Sequence, residues 1–436
     1  MLTNAPNIFK IPDLRRKILI TLGLVIVYRL GGHIPTPGIN AAALGLLLSQ
    51  LRGTVFGLYD IFVGGALSRA SVFALGIMPY ISASIMFQLL GSVFPALEKL
   101  QKDEEGRKKI NQYTRYATVL LAMVQAFGIA AYLEAQPPTA AGPIVLFPGF
   151  FFRLITIFTL TAGTILVMWL GEQINDKGIG NGISFIIFVG CLDSTPQDLG
   201  RTIGMIRAGE LSYFSLLIIA GLIFGIYAGV VLITQAMRKI PVQYPKRIVG
   251  RRIYGGQTTH IPLRINTAGV IPIIFAQSLI VFPSTFATFF KVPFMTTVQE
   301  ILAPGGWLYN LLFAGLIIFF TYFYTSIVFN PRDLAENMQR FGGFIPGIRP
   351  GEKTAEYIDK SLSLITLPGA IFLALMALIP WFLMSTFRLP FYFGGTTLLI
   401  IVGVALDTIQ QIESHLLMRH YEGLMKGMKV KGRRVG

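Results

Sequence analysis

The residues able to do covalent, metal or redox chemistry are few in this chain of 436, and poorly spaced for it. Cys191 is the only cysteine, which excludes a disulfide within the chain and a thiolate metal cluster. It sits in the apolar run 183–192, where packing is its expected role. His33, His260, His415 and His420 show no metal-ligand spacing on a shared helical face, so no metal site is expected. The segment GIRPGEKT, residues 347–354, has the outline of a phosphate-binding loop. It places Glu352 beside the lysine, however, where a negative side chain would meet the phosphate. GIGNG, residues 178–182, lacks the spacing of a dinucleotide fingerprint and follows a predicted membrane helix, not a strand. These residues do not favour an enzyme and imply no cofactor.

The elements that would have to position any site are membrane helices. Hydrophobic residues make up 53% of the chain and charged ones 13%. Runs over 116–133, 150–171, 214–237, 268–290, 308–329 and 362–384 each approach the roughly 20 residues that cross about 30 Å of hydrocarbon. The expected class is an all-α polytopic membrane protein.

Charge sets the expected orientation, because Lys and Arg near span ends stay on the cytoplasmic side. Most of the 37 basic residues fall before the first span, between 99 and 115, at Lys177, at 238–264, at 332–360 and beyond Arg419. The exceptions are Arg29, Arg52, Arg69, Arg153, Arg201, Arg207, Lys291 and Arg388. Both termini are then cytoplasmic and the number of spans is even. That parity makes the short run 183–192 a span, since otherwise the two largest basic loops would lie outside. It has the opposite effect on 55–67, a moderately apolar stretch carrying Asp60 and Gly64-Gly65. A crossing there would put 99–115 outside, so this stretch should dip into the membrane and return. Broken backbone at membrane depth survives only where protein or water satisfies it, which points to a cavity. With spans at about 18–34, 73–94 and 397–412, the total is about ten. Arg15-Arg16-Lys17 before an apolar run imitates a signal peptide, but no small-residue cleavage site follows, and a first transmembrane helix is expected.

An ion-coupled transporter would carry ionisable residues in mid-membrane. The spans have almost none: Glu172 and Asp407 lie towards cytoplasmic ends and Arg29 near an outer end, where each can snorkel to an interface. A secondary transporter for an uncharged solute stays open as an alternative, as does a membrane scaffold whose basic loops recruit ribosomes. The loop 238–264 alternates basic pairs with β-branched residues, Tyr244 and Tyr254, and then a Gly-Gly turn, the pattern of a protruding hairpin. Its charge fits a solvated positive-inside loop, or equally a docking surface for phosphate backbone or an acidic protein.

Six long motifs are more specific. They are GGALSRASVFALGIMPYISASI at 64–85, MWLGEQINDKGIGNGISFIIF at 168–188, the hairpin 238–264, NTAGVIPIIFA at 266–276, VFNPRDLAENMQRFGGFIPGIRPGEKTAEYIDK at 328–360 and PFYFGGTTLLIIVGVALD at 390–407. In order and over essentially the whole length, the chain resembles the SecY family, the central subunits of the bacterial protein-conducting channel.

The resemblance implies two pseudosymmetric five-helix halves, 1–200 and 201–436, around an hourglass pore, with the dipping segment as a plug. The plug would comprise Asp60, Ile61, Phe62, Val63, Gly64, Gly65, Ala66 and Leu67, with the glycine pair giving it freedom to move. It implies a constriction ring of Ile77, Ile81, Ile183, Ile187, Ile274 and Ile400; taken alone, an isoleucine in a membrane helix is lipid-facing or packing. Apolar branched side chains would dewet a narrow pore against ions yet part around a polypeptide. Ser82, Ser84, Gln88, Thr118, Gln125 and Asn266 would line a lateral gate through weak hydrogen bonds. Lys246, Arg247, Arg251, Arg252 and Arg349 would dock the ribosome, including its rRNA, and the SecA ATPase. The further partners implied are SecE, SecG, signal sequences, nascent polypeptides and membrane lipids. The implied location is the bacterial cytoplasmic (inner) membrane, and the implied role is passage of unfolded polypeptides across it, or sideways into it, on energy supplied by the ribosome or SecA.

Overall fold

A computed structural model describes residues 11–50, 55–209, 213–244, 247–249, 252–254, 258–289, 305–387 and 395–427. The helices, in chain order, are α1 (Pro12–Gly31), α2 (Ala41–Gln50), α3 (Val55–Phe62), α4 (Met78–Val93), α5 (Pro95–Lys102), α6 (Glu104–Glu134), α7 (Phe150–Lys177), α8 (Gly182–Arg207) and α9 (Tyr213–Gln235). After the strands β1 (Met237–Gln243), β2 (Arg247–Val249), β3 (Arg252–Tyr254) and β4 (Thr258–Arg264) come α10 (Ile271–Phe289), α11 (Trp307–Val328), α12 (Pro331–Arg340), α13 (Glu352–Phe387) and α14 (Gly395–Gly427).

A helix stands at each of the ten expected spans. By length and apolar composition, five helices among the described residues suffice to cross a membrane unaided. The shorter apolar stretches sit inside longer helices. The run 183–192 lies in α8, whose 26 residues extend about 39 Å at 1.5 Å per residue. Length that hydropathy alone did not supply comes from the polar continuation past Asp193.

Boundaries follow local chemistry. Residues 73–77 are turns, so α4 starts only at Met78. It ends at Phe94, which is extended (φ −99°, ψ 113°), and α5 leaves at a bend of 113°. Pro95 explains the break, since its ring disfavours helical geometry in the preceding residue while suiting the first turn of the next helix. Glu104 and Glu105 open α6, where carboxylates complement the helix dipole. Asn330 caps α12, its Oδ1 accepting the Arg332 N–H at 3.1 Å.

The chain divides into two compact units. One comprises Met1–Leu51, Asp60–Ser194 and Val404–Gly436. Within it α6 packs on α4, α5 and α7, and α1 packs on α7. Two ion pairs pin α6 to α7 near opposite ends, Arg115–Glu172 at 2.7 Å and Arg153–Glu134 at 2.6 Å. Glu172 is thus a helix-pairing residue, not simply a carboxylate that snorkels to the interface.

The other unit comprises Arg52–Tyr59 and Thr195–Gly403. Here α11 packs on α10 and α13. The strands β1 and β4 pair antiparallel from Met237↔Arg264 to Gln243↔Thr258. Alternate residues Ile240 and Val242 turn inward, as the two-residue period of a strand requires. They join Leu263, Met338, Ile345, Ile358, Leu362 and Ile365 in one apolar core. Gln243 and Phe344 exchange both backbone hydrogen bonds, at 2.9 and 3.0 Å. The two large basic loops, separate in sequence, are therefore one folded body.

Candidate functional site

The dipping segment is short, broken and held by its own polar groups. After the eight residues of α3, the backbone turns repeatedly until α4 begins. Asp60 organises the turns: its carbonyl accepts the Gly65 N–H at 2.8 Å, and its Oδ1 accepts the Ser68 N–H at 3.0 Å. The Ser68 hydroxyl donates to its other carboxylate oxygen. A carboxylate that collects these donors satisfies backbone that no helix ladder satisfies.

Gly64 and Gly65 have φ of +72° and +71°, conformations that a residue with a Cβ resists. A Cβ on Gly64 would also lie 3.0 Å from the Cα of Gly190 on α8. The glycine pair was expected to let the segment move. The structure gives it a different physical content, because these glycines are what the seated conformation requires.

The segment is tied to α1 and to the residues that follow it. Tyr28 Oη donates to the Val63 carbonyl at 3.4 Å, and the Tyr28 ring stacks on Phe73 at 6.0 Å. Thr36 N–H donates to Ala70 O at 2.7 Å and Val72 N–H to Ile34 O at 2.9 Å, forming a small bridge. Where the segment ends, Arg69 Nη2 lies 2.6 Å from Asp193 Oδ2, and Arg29 Nη2 lies 2.7 Å from Asp193 Oδ1. His33 closes the group, with Nε2 3.1 Å from Arg69 Nη1 and Nδ1 2.9 Å from the Arg29 carbonyl. Because guanidinium can only donate, His33 accepts at Nε2 and donates at Nδ1. Sequence reasoning missed this cluster. The available signal was that Arg29, Arg69 and Asp193 are charges at the ends of apolar elements, which need partners.

Of the expected ring, Ile77, Ile81, Ile183 and Ile187 belong to one unit, and Ile274 and Ile400 to the other. Ile81, Ile187, Ile274 and Ile400 are each no more than 5% exposed, while Ile183 is half-buried. Ile77 is the residue capping α4 and not part of it, yet the Ile81 N–H donates to the Ile77 carbonyl at 3.1 Å, preserving the i, i+4 relation. The expected gate residues make largely local bonds. Gln88 Nε2 donates to Ser84 Oγ at 3.1 Å, and Thr118 Oγ1 donates to Thr114 O at 2.7 Å, each within its own helix. Gln125 and Asn266 are buried, and Gln125 Oε1 and Asn266 Oδ1 have no hydrogen-bond partner among the described residues.

Of the expected docking residues, Lys246 and Arg251 lie outside the described residues. Arg247 and Arg252 are placed on the facing strands β2 and β3. These strands pair antiparallel, from Arg247↔Tyr254 to Val249↔Arg252. The expected Gly-Gly turn at 255–256 lies outside the described residues. Arg349 is exposed on the turn before α13, and its carbonyl accepts the Thr354 hydroxyl at 2.9 Å.

The two glycine-rich motifs are structural. In 178–182, Ile179 N–H is taken by Thr21 Oγ1 at 3.0 Å, Gly180 N–H by Gln411 Oε1 at 2.9 Å and Gly182 N–H by Asn175 Oδ1 at 2.7 Å. In 347–354, Lys353 is paired with Glu356 at 2.9 Å. Among the described residues no group of His, Cys, Asp or Glu could hold a metal ion.

Helices of this length and apolar composition define an all-α polytopic membrane protein. The SecY family model matches residues 71–409. The protein translocase subunit SecY of Aquifex aeolicus (strain VF5) is 48% identical over 421 residues, 96% of this chain and 98% of that one. The chain also has the fold of a solved protein-conducting channel, with a TM-score of 0.66 at 18% identity over 98% of this chain and 99% of that one. Sec61 in the canine ribosome-channel complex from the endoplasmic reticulum matches with a TM-score of 0.61 at 17% identity, over the same shares of the two chains. The chain belongs to the SecY family.

Proposed function

We propose that this chain is the protein-conducting subunit of a bacterial Sec translocon, passing unfolded polypeptides across the cytoplasmic membrane and releasing apolar segments sideways into it. The observation that carries the reading is the segment Asp60–Arg69, folded among helices of a SecY-family chain and held by Asp60, Tyr28 and Asp193. A plug must be seated by contacts that can be broken, and single polar contacts at its two ends suit that. The chain performs no bond chemistry in this reading; energy comes from the ribosome or SecA.

Ile77, Ile81, Ile183, Ile187, Ile274 and Ile400 form the seal, which excludes ions by dewetting. Ser82, Ser84, Gln88, Thr118, Gln125 and Asn266 belong to the lateral exit. The bonds of Ser84, Gln88 and Thr118 lie within single helices and leave little to break when a signal sequence enters. Lys246, Arg247, Arg251, Arg252 and Arg349 dock the ribosome or SecA. SecE clamps the two halves, 1–200 and 201–436, and SecG is peripheral. Both termini are cytoplasmic.

The test is reconstitution with SecE and SecG in vesicles. A signal-bearing unfolded polypeptide should become protected from added protease when SecA and ATP are present. In a Cys191→Ala background, Phe341→Cys should be labelled only from the SecA side and Phe147→Cys only from the other. Saturable uptake of a small solute without polypeptide protection would overturn the channel reading.

A further inference from the structure

Four ionisable side chains of one unit meet where the dipping segment ends: Arg29 of α1, Arg69, Asp193 of α8 and His33. Two nitrogens of the Arg69 guanidinium are engaged at once, Nη2 by Asp193 Oδ2 at 2.6 Å and Nη1 by His33 Nε2 at 3.1 Å. The carboxylate is shared, since its Oδ1 lies 2.7 Å from Arg29 Nη2. One acidic group therefore balances two guanidinium charges, and a neutral imidazole supplies the additional acceptor. His33 is held in place by donating Nδ1 to the Arg29 carbonyl at 2.9 Å, and its side chain is exposed, so protons from solution reach it directly.

This arrangement tolerates one protonation state of His33. A proton taken from solution onto Nε2 removes the acceptor and sets an N–H against the Arg69 N–H, donor facing donor at 3.1 Å. It also adds a positive charge to a cluster that already carries two arginines against one aspartate. Imidazole is the side chain that changes charge between about pH 5 and 8. Tyr28 and Cys191 lie within electrostatic reach of the cluster, and Asp60 within that of Arg69. Phenol and thiol ordinarily titrate above that range, so the carboxylates Asp60 and Asp193 are the groups that an experiment must separate from His33.

We propose that His33 is a positioning residue of the plug seat: neutral, it holds Arg69 against Asp193, and protonated from the outer face, it releases Arg69 and lets the segment leave. This inference rests on the channel reading and on the outward placement of the end of α1, and adds to them a dependence on outer pH. The seated arrangement excludes a proton that the unseated one accepts, so falling pH favours the unseated segment.

The full complex with SecE and SecG in planar bilayers, without SecA or polypeptide, tests this when pH is lowered on the outer side alone, from about 7.5 to about 5.5. Wild-type openings should become roughly tenfold more frequent, as expected when one hydrogen bond to a charged group is lost. His33→Gln offers the same acceptor and donor at every pH, and should stay at the low frequency throughout. His33→Lys carries the charge permanently, and should open at the higher pH as often as wild type does at the lower. His260→Gln, at an exposed position on β4, should leave the response as it is in wild type. A response that survives in His33→Gln overturns the proposal and moves the titration to Asp60 or Asp193. Wild-type openings equally frequent at both pH values overturn it as well. Polypeptide protection with SecA, measured as above, reports on the channel reading independently: intact protection beside a pH-insensitive wild type removes this inference alone, whereas lost protection removes both.

Discussion

Asp193 on α8 holds Arg69 at 2.6 Å, joining the end of the dipping segment to a helix more than a hundred residues later in the chain. The same carboxylate holds Arg29 of α1, so one acidic group fixes three elements at once. Its side chain is 17% exposed, against 29% for Arg69 and 33% for Arg29. The pair therefore lies between the regime where exposed ion pairs contribute almost nothing and that where a lone buried charge is costly.

Asp193→Asn keeps the shape and removes the charge, and should weaken the seat by about 1–2 kcal/mol. In planar bilayers that appears as roughly tenfold more frequent openings of the resting protein. Arg69→Gln should act in the same direction but less strongly, because Asp193 keeps Arg29, and the double variant should add little to Asp193→Asn alone, since the Arg69 interaction is already lost with the carboxylate charge. Full additivity would show that the pair does not act as a latch.

Gly64→Ala is expected to unseat the segment by a different route. Its φ of +72° and the Gly190 Cα at 3.0 Å from an added Cβ leave no strain-free placement, at a cost of about 1–3 kcal/mol. Gly23→Ala, where an added Cβ meets nothing within 4 Å, is the matched control and should leave both thermal stability and leak at wild-type levels.

Replacing Ile81, Ile187 and Ile274 together by serine should wet the constriction and raise ion conductance in the absence of polypeptide. Ile26→Ser removes the same side chain from an exposed position on α1 and should not. Current is normalised to inserted protein, since burying three hydroxyls also lowers stability. Equal conductance from both variants would make the three isoleucines packing residues.

Arg349→Glu, alone and with Arg251→Glu and Arg252→Glu, should weaken ribosome and SecA binding. Removing one arginine–phosphate interaction should flatten the salt dependence of ribosome affinity by about one unit of the log–log slope. The apolar core beneath, from Ile240 to Ile365, is untouched by these changes, so thermal stability should hold. Wild-type affinity at every salt concentration would remove these residues from the docking surface.

Much of this protein is written in its sequence because the membrane is a severe solvent. A run of about 20 apolar residues has few options in hydrocarbon, so 116–133 and 150–171 could be placed as helices from composition alone. For 55–67, charge parity supplies only the expectation of a segment that dips and returns, because loop charges can be counted along the chain. The break at Pro95 and the cap at Asn330 are local chemistry and equally legible. What the sequence could not determine is which distant groups meet. Nothing in Arg29, Arg69 or Asp193 names its partner, since a charge at a helix end is satisfied as well by water or by any opposite charge in reach. The Gly64–Gly190 approach, the fusion of two basic loops through Ile240 and Ile358, and the meeting of His33 with Arg69 arise only when helices are laid side by side. Spans are set by the transfer energy of each segment taken alone, and a local property can be read along the chain. Seats and latches are set by pairwise distances across the fold, and only tertiary packing decides those.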